Sequence, residues 1–140
     1  MAWRRFTHAM TLSGVLLLGI TGLGSAASSQ VFWKNYGKPV AVEPTRVEIA
    51  FGTGFTWANH LSEWSGWGSE RAVAEGVIHL NTCKPFCAAG NYKAYKGKIV
   101  LSKISGCNGQ RRYRDVKVVP KGQPSSIWGS DCRGLQVVAP

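Results

Sequence analysis

Carboxylates are scarce in this chain, and scarcest where its positive charge is densest. Seven aspartates and glutamates stand against 17 lysines and arginines, for a formal net charge of +10. Between Lys93 and Lys121 one carboxylate, Asp115, faces nine cations: Lys93, Lys96, Lys98, Lys103, Arg111, Arg112, Arg114, Lys117 and Lys121. Histidine is rarer still, with only His60 and His79 beyond residue 27. That leaves little material for acid–base catalysis, which needs titratable groups gathered in a constellation. The chain also lacks a Gly-x-Ser-x-Gly nucleophile turn, a zinc-binding helix signature and a phosphate-binding glycine loop. It has no internal repeat and no helical pattern long enough to anchor a helical architecture.

The main apolar run, Ala9–Leu23, is broken by glycines and threonines and is too short for a good membrane span. With Arg4 and Arg5 before it and Gly24-Ser25-Ala26-Ala27 after it, residues 1–27 read as a secretory signal peptide. The residues after the arginine pair fit a twin-arginine route poorly, so ordinary secretion is expected. No cysteine lies near the cut, which argues against a lipid anchor. Export would leave 113 residues with a net charge of +8, the size of one domain with one modest core. Residues 28–44 read as an N-terminal leader, because Gly37, Pro39 and Pro44 interrupt any element there. Residues 45–140 read as a single β domain.

What is present in force is alternation. Thr45–Phe51, Arg71–Leu80 and Tyr92–Ile104 each place apolar residues at every second position, the pattern of half-buried strands. Arg111–Val119 is a further strand, with Tyr113 out of phase with Val116 and Val118; a bulge near Arg114-Asp115 would account for that. Between the last two strands, Gly106 and Asn108-Gly109 signal a hairpin. Gly66 and Gly68 disfavour a helix in Phe55–Gly68, where a loop followed by a strand is expected. Pro120–Gly129 reads as a polar loop and Leu135–Val138 as a short last strand. Short strands separated by Gly, Asn and Pro predict an all-β fold, a small antiparallel β-sandwich or open barrel, stabilised by disulfides.

The four cysteines, Cys83, Cys87, Cys107 and Cys132, all follow residue 27, and an even count in an oxidising compartment reads as two disulfides. Cys83-x-x-x-Cys87 has no second tight pair and no His-x-x-x-His to complete a zinc site. Its three intervening residues also differ from the two of a redox motif. Three pairings are open. Cys83–Cys87 with Cys107–Cys132 is favoured, since Pro85 and Ala89-Gly90-Asn91 supply turn residues around the first pair. Closing about 26 residues with the second would constrain the unfolded chain by roughly 3.5 kcal/mol.

Glu63-Trp64-Ser65-Gly66-Trp67-Gly68, then Ala74-Glu75-Gly76, then Asn81-Thr82-Cys83-Lys84-Pro85-Phe86-Cys87-Ala88-Ala89-Gly90 carry a resemblance. This stretch resembles a group of small secreted actinobacterial proteins with Trp-x-x-Trp-Gly and Cys-x-Pro-x-Cys-Ala-x-Gly motifs and a tyrosine-bearing basic strand. The resemblance covers about Glu63–Val119. It implies a secreted β-rich domain with Cys83–Cys87 as a bonded unit, and it implies no activity.

The functional candidates follow from these features. Lys93, Lys96, Lys98, Arg111, Arg112, Arg114 and Lys117, with Tyr92, Tyr95 and Tyr113 among them, form a basic hairpin suited to an anionic polymer: a wall polymer, nucleic acid or lipid headgroups. The hairpin is expected to set Lys96 and Lys98 beside arginines of its other strand. A charged strand face is by default only a solvated surface; the concentration of nine cations is what sets this one apart. Three alternatives use other residues. His60 and Glu63 with Arg111, Arg112 or Arg114 would imitate a small secreted ribonuclease. Trp64, Trp67 and Trp128 would be stacking platforms of a carbohydrate-binding module, and the Cys83–Cys87 loop would be the contact of a protease inhibitor. No cofactor, metal or catalytic residue is implied, and the protein is read as a binding protein.

Overall fold

The computed structural model describes residues 30–51, 54–134 and 136–138; the proposed signal peptide falls outside them. Among the described residues nine strands form: β1 (Val31–Lys34), β2 (Val40–Ala41), β3 (Val47–Phe51), β4 (Gly54–Asn59), β5 (Arg71–Asn81), β6 (Tyr92–Cys107), β7 (Gln110–Pro120), β8 (Ser126–Ser130) and β9 (Gln136–Val138). They make one sheet in the order β2-β1-β7-β6-β5-β4-β3, with β8 also pairing β7, and β9 pairing β8. The sheet curls into a half-barrel, which is the open-barrel form of the expected all-β fold. Every pairing is antiparallel except that of β1 with β7. β1 and β8 share one edge of β7, β1 at Arg111–Arg112 and β8 at Asp115–Val118.

Alternation builds the core. Ala72, Ala74 and Ile78 of β5, Ile99 and Leu101 of β6, and Val116 and Val118 of β7 are all buried on the concave side. Ile99 pairs with Val118, and Leu101 with Val116. On the rung where Gly76 faces Gly97, a Cβ at Gly97 would come within 2.5 Å of the Val119 carbonyl, and one at Gly76 within 2.7 Å of the Asn59 carbonyl. Backbone passes too close there for any side chain, so the rung is where the sheet bends inward.

One end of the half-barrel is filled by rings. Trp64 and Trp67 meet edge to face with centroids 5.2 Å apart, and Trp67 meets Tyr113 in the same way at 5.2 Å. Their polar atoms are spent on backbone: Trp64 Nε1 donates to the Pro44 carbonyl, Trp67 Nε1 to that of Val31, and Tyr113 Oη to that of Ser69. The two edges of the sheet are tied by one side chain. Asn35, just past β1, accepts from Trp33 Nε1 and from the Glu48 amide of β3, and donates to the Arg46 carbonyl. β9 also lies against β3.

Several elements differ from expectation. Residues 28–44 contain β1 and β2, and Val31 and Trp33 are each only 1% exposed; their stability comes from β7 and Asn35, partners distant in sequence. The 55–68 segment runs strand first and loop second, because β4 pairs antiparallel with β3 and ends at Asn59, before His60 takes a left-handed φ of 50°. Within the expected 120–129 loop, β8 forms by pairing along β7. The change of phase at Tyr113 has no inserted residue behind it. The β6–β7 register is unbroken, and the ladder is only interrupted where Lys103, with a left-handed φ of 56°, stands opposite Arg114. Both disulfides, Cys83–Cys87 and Cys107–Cys132, are present.

Burial pushes the Tyr113 phenol above its usual value of 10.0, against the opposing pull of the Gly68 amide and the Arg111 charge. The fold therefore favours the neutral ring. That contribution is complete below pH 10 and fades above it, where the unfolded chain ionises first. Tyr113→Phe leaves the Gly68 amide without its acceptor and is expected to cost about 1–3 kcal/mol at neutral pH. Urea denaturation from pH 7 to 11 should show wild type losing stability more steeply than the variant above pH 10.

Candidate anion-binding surface

Alternation on the other face sends charge outward. Glu75, Lys98 and Val119 share a rung, as do Val73, Val100, Lys117 and Ile127. Lys96 lies opposite Val77, and its carbonyl accepts the Lys121 amide at 2.8 Å. Lys96, Lys98, Lys117 and Lys121 are thus gathered on one convex patch, all exposed. Diagonal neighbours such as Lys98 and Lys117 sit about 7–8 Å apart. Glu75, Lys96, Lys98 and Lys121 line one shallow depression, and Arg71, Lys103, Asp115 and Lys117 line another beside it. Two carboxylates temper this charge: Glu75 meets Lys98 at 3.3 Å, and Asp115 meets Lys103 at 2.7 Å.

The arginines lie elsewhere, and this corrects the expected arrangement of the hairpin. With Cys107 opposite Gln110, Arg111 faces Gly106 and Arg112 faces Ser105, whereas Lys98 faces Val119. Seven residues of β6, roughly 23 Å, separate the rung of Lys98 from that of Arg112, while Arg114 lies three residues from Lys117 along β7. Arg112 is 7% exposed. It donates through Nη1 to the Cys132 carbonyl and through Nη2 to Gln110 Oε1, and its Nε has no partner among the described residues. Arg114 is half-buried and donates to the Ser130 carbonyl and to Ser105 Oγ. Both guanidinium groups bind the chain that enters and leaves the Cys107–Cys132 bond. Arg111 stays exposed at the rim of an open hollow with Glu70 and Lys103. Lys93, opposite Leu80, belongs to the far end of the β5–β6 hairpin.

The tyrosines expected among the cations do not join them on the convex patch. Tyr113 is in the core, Tyr95 stands opposite core residue Ile78, and Tyr92 packs on Trp57 with centroids 4.4 Å apart. Trp57 also stacks with His79 and lies under Arg46, a grouping the sequence did not advertise because its members come from β4, β5, β6 and the residue before β3. His79 is held by Asn59. His60 lies beside Gly76, opposite Gly97, roughly 25 Å along β6 from the rung of Arg112; the ribonuclease constellation is not brought together. Trp64 is buried and Trp67 and Trp128 pack against the core, so Trp64 presents no open platform. With both disulfides closed, no cysteine is free to ligate a metal. Lys121 and Glu75, and in the neighbouring depression Arg71, Lys103 and Asp115, are residues that the sequence reading did not select for the site. No protein-family model, curated protein or solved structure matches the chain.

The separation of buried from exposed cations has a direct readout. Lys98→Ala removes one exposed ion pair and should change unfolding free energy by less than about 1 kcal/mol. Arg112→Ala orphans the Cys132 carbonyl and should cost about 2–3 kcal/mol. Chemical denaturation of the two variants side by side checks the contrast.

Proposed function

We propose that the chain is an exported, non-catalytic binding protein that holds an anionic polymer on the convex lysine face of β5, β6 and β7. The observation that carries this reading is the convergence of Lys96 and Lys98 of β6, Lys117 of β7 and Lys121 just past its end, against the two carboxylates of Glu75 and Asp115. Like charges at this spacing repel, and a polyanion relieves that repulsion while releasing its own counterions. The patch is convex and shallow and offers no tyrosine for stacking. It therefore suits a repeating phosphate or sulfate backbone rather than a base or sugar ring. Two disulfides support export to an oxidising compartment, and among the described residues no helix is long and apolar enough to cross a membrane.

Retention on heparin and affinity for a phosphodiester polymer should both fall steeply with salt. With four lysines engaged, the affinity should drop about 50- to 150-fold between 50 and 200 mM. The triple variant Lys96→Glu, Lys98→Glu, Lys117→Glu should lose binding while its thermal unfolding stays close to wild type. Binding by the triple variant equal to wild type, or none by wild type at low salt, would reject the reading.

A further inference from the structure

The end of the β5–β6 hairpin has a chemistry that the lysine face does not share. Beyond the last rung, Asn81 opposite Tyr92, the chain closes on itself through Cys83–Cys87 and a short 3-10 turn at Cys87–Ala89. Lys84, Pro85, Phe86, Ala88 and Ala89 are all exposed there, and Phe86, at 60%, is the most exposed large apolar side chain among the described residues. A flexible loop would fold such a ring away. This one is braced, because Asn81 Oδ1 accepts the Cys83 amide and Asn81 Nδ2 donates to the Cys87 carbonyl, both at 2.8 Å. The Ala89 and Gly90 amides are taken by the Phe86 and Cys87 carbonyls, and the Thr82 amide by Asn91. The apolar tip therefore carries backbone groups already paired within it, which lowers the cost of leaving water.

Charge decides what such a tip meets. From Gly76 to Arg114 the chain holds no aspartate or glutamate. Glu75 lies six rungs behind the tip, roughly 20 Å. Glu48, two rungs behind through Trp57 and His79, is held by Arg46 at 2.7 Å. Lys84 is in the loop and Lys93 is one rung behind its base, both within a Debye length of about 8–10 Å of anything the tip touches. Lys96, four rungs back, lies beyond it. One phenyl ring, one proline and two alanines are far too little surface for a stable protein interface of about 1,200 Å² or more. A bilayer sets no such threshold: binding scales with the apolar area inserted, and a small apolar point is supplemented by cations that meet acidic headgroups.

We infer that the Cys83–Cys87 tip docks the chain onto an anionic lipid bilayer, with Phe86 entering the boundary between headgroups and acyl chains and Lys84 and Lys93 meeting acidic headgroups. This surface and its partner are separate from the lysine face proposed above. The test is co-sedimentation of the full chain with phosphatidylcholine vesicles, with and without phosphatidylglycerol. The N-terminal apolar run is common to every variant, so differences between variants report the tip. Phe86→Ser should bind anionic vesicles roughly ten-fold more weakly while its heparin retention stays at the wild-type level. The double variant Lys84→Glu, Lys93→Glu should lose at least about 25-fold on anionic vesicles and change little on neutral ones. A tryptophan placed by Phe86→Trp should add emission that brominated acyl chains quench. The inference is overturned if the variants bind as wild type does or if that emission is not quenched. Phe86-dependent self-association without vesicle binding would also overturn it, by assigning the tip to a second copy of the chain.

Discussion

The two-residue turn at Asn108-Gly109 sets the pairing on which the rest of the sheet depends. Both residues take left-handed φ, 52° and 75°, the geometry in which a tight turn matches the twist of its strands. With the turn pinned, Gly97–Cys107 of β6 are set against Gln110–Pro120 of β7 in one register, and a slip of one position would turn the core residues outward. That pairing joins Ile99 to Val118 and Leu101 to Val116 in the core. It also places Lys98 and Lys117 diagonally on the outside and keeps the arginines at the turn end. The distribution of charge on this protein is a consequence of register before it is a property of composition.

Alternation made β5, β6 and their buried faces legible, and the turn residues around Cys83–Cys87 and Asn108-Gly109 marked both ends of the central hairpins. The elements that were not legible are those stabilised by remote partners. β1 is four residues long with no period of its own, and Trp33 is buried because β7 and Asn35 lie beside it. β8 exists because the edge of β7 is open to it. Tyr113 looked like the sign of an extra residue, yet a left-handed Lys103 produces the same change of phase without one. The separation of lysines from arginines was within reach: once Asn108-Gly109 is a two-residue turn, counting back from it pairs Lys98 with Val119. The burial of Arg112 was not, since it depends on where the segment after β8 returns.

Tryptophan illustrates the same division. In Glu63–Gly68 the two indoles are close in sequence and cross-linked in space, and their nitrogens reach back to Pro44 and Val31. A motif that reads as a surface signature is a plug that joins the start of the chain to its middle. Trp57, by contrast, sits on the outer surface and is covered by Arg46, His79 and Tyr92, which removes its apolar face from water without a core around it.

The Cys107–Cys132 bond gives the chain a closed ring that contains all of β7, the exposed 121–125 turn and β8. β7 carries the hydrogen bonds to β6, β1 and β8, so the strand with the most neighbours is also the one enclosed covalently. Lys121 makes the turn an obvious place for a trypsin-like protease to cut. A cut there would open the ring without releasing either piece: the bond would hold β8 and β9 to the hairpin, and β7 would remain seated between its neighbours. The protein would be nicked yet of unchanged mass until reduced, apart from one added water, a form of durability that rests on the covalent ring rather than on an intact backbone.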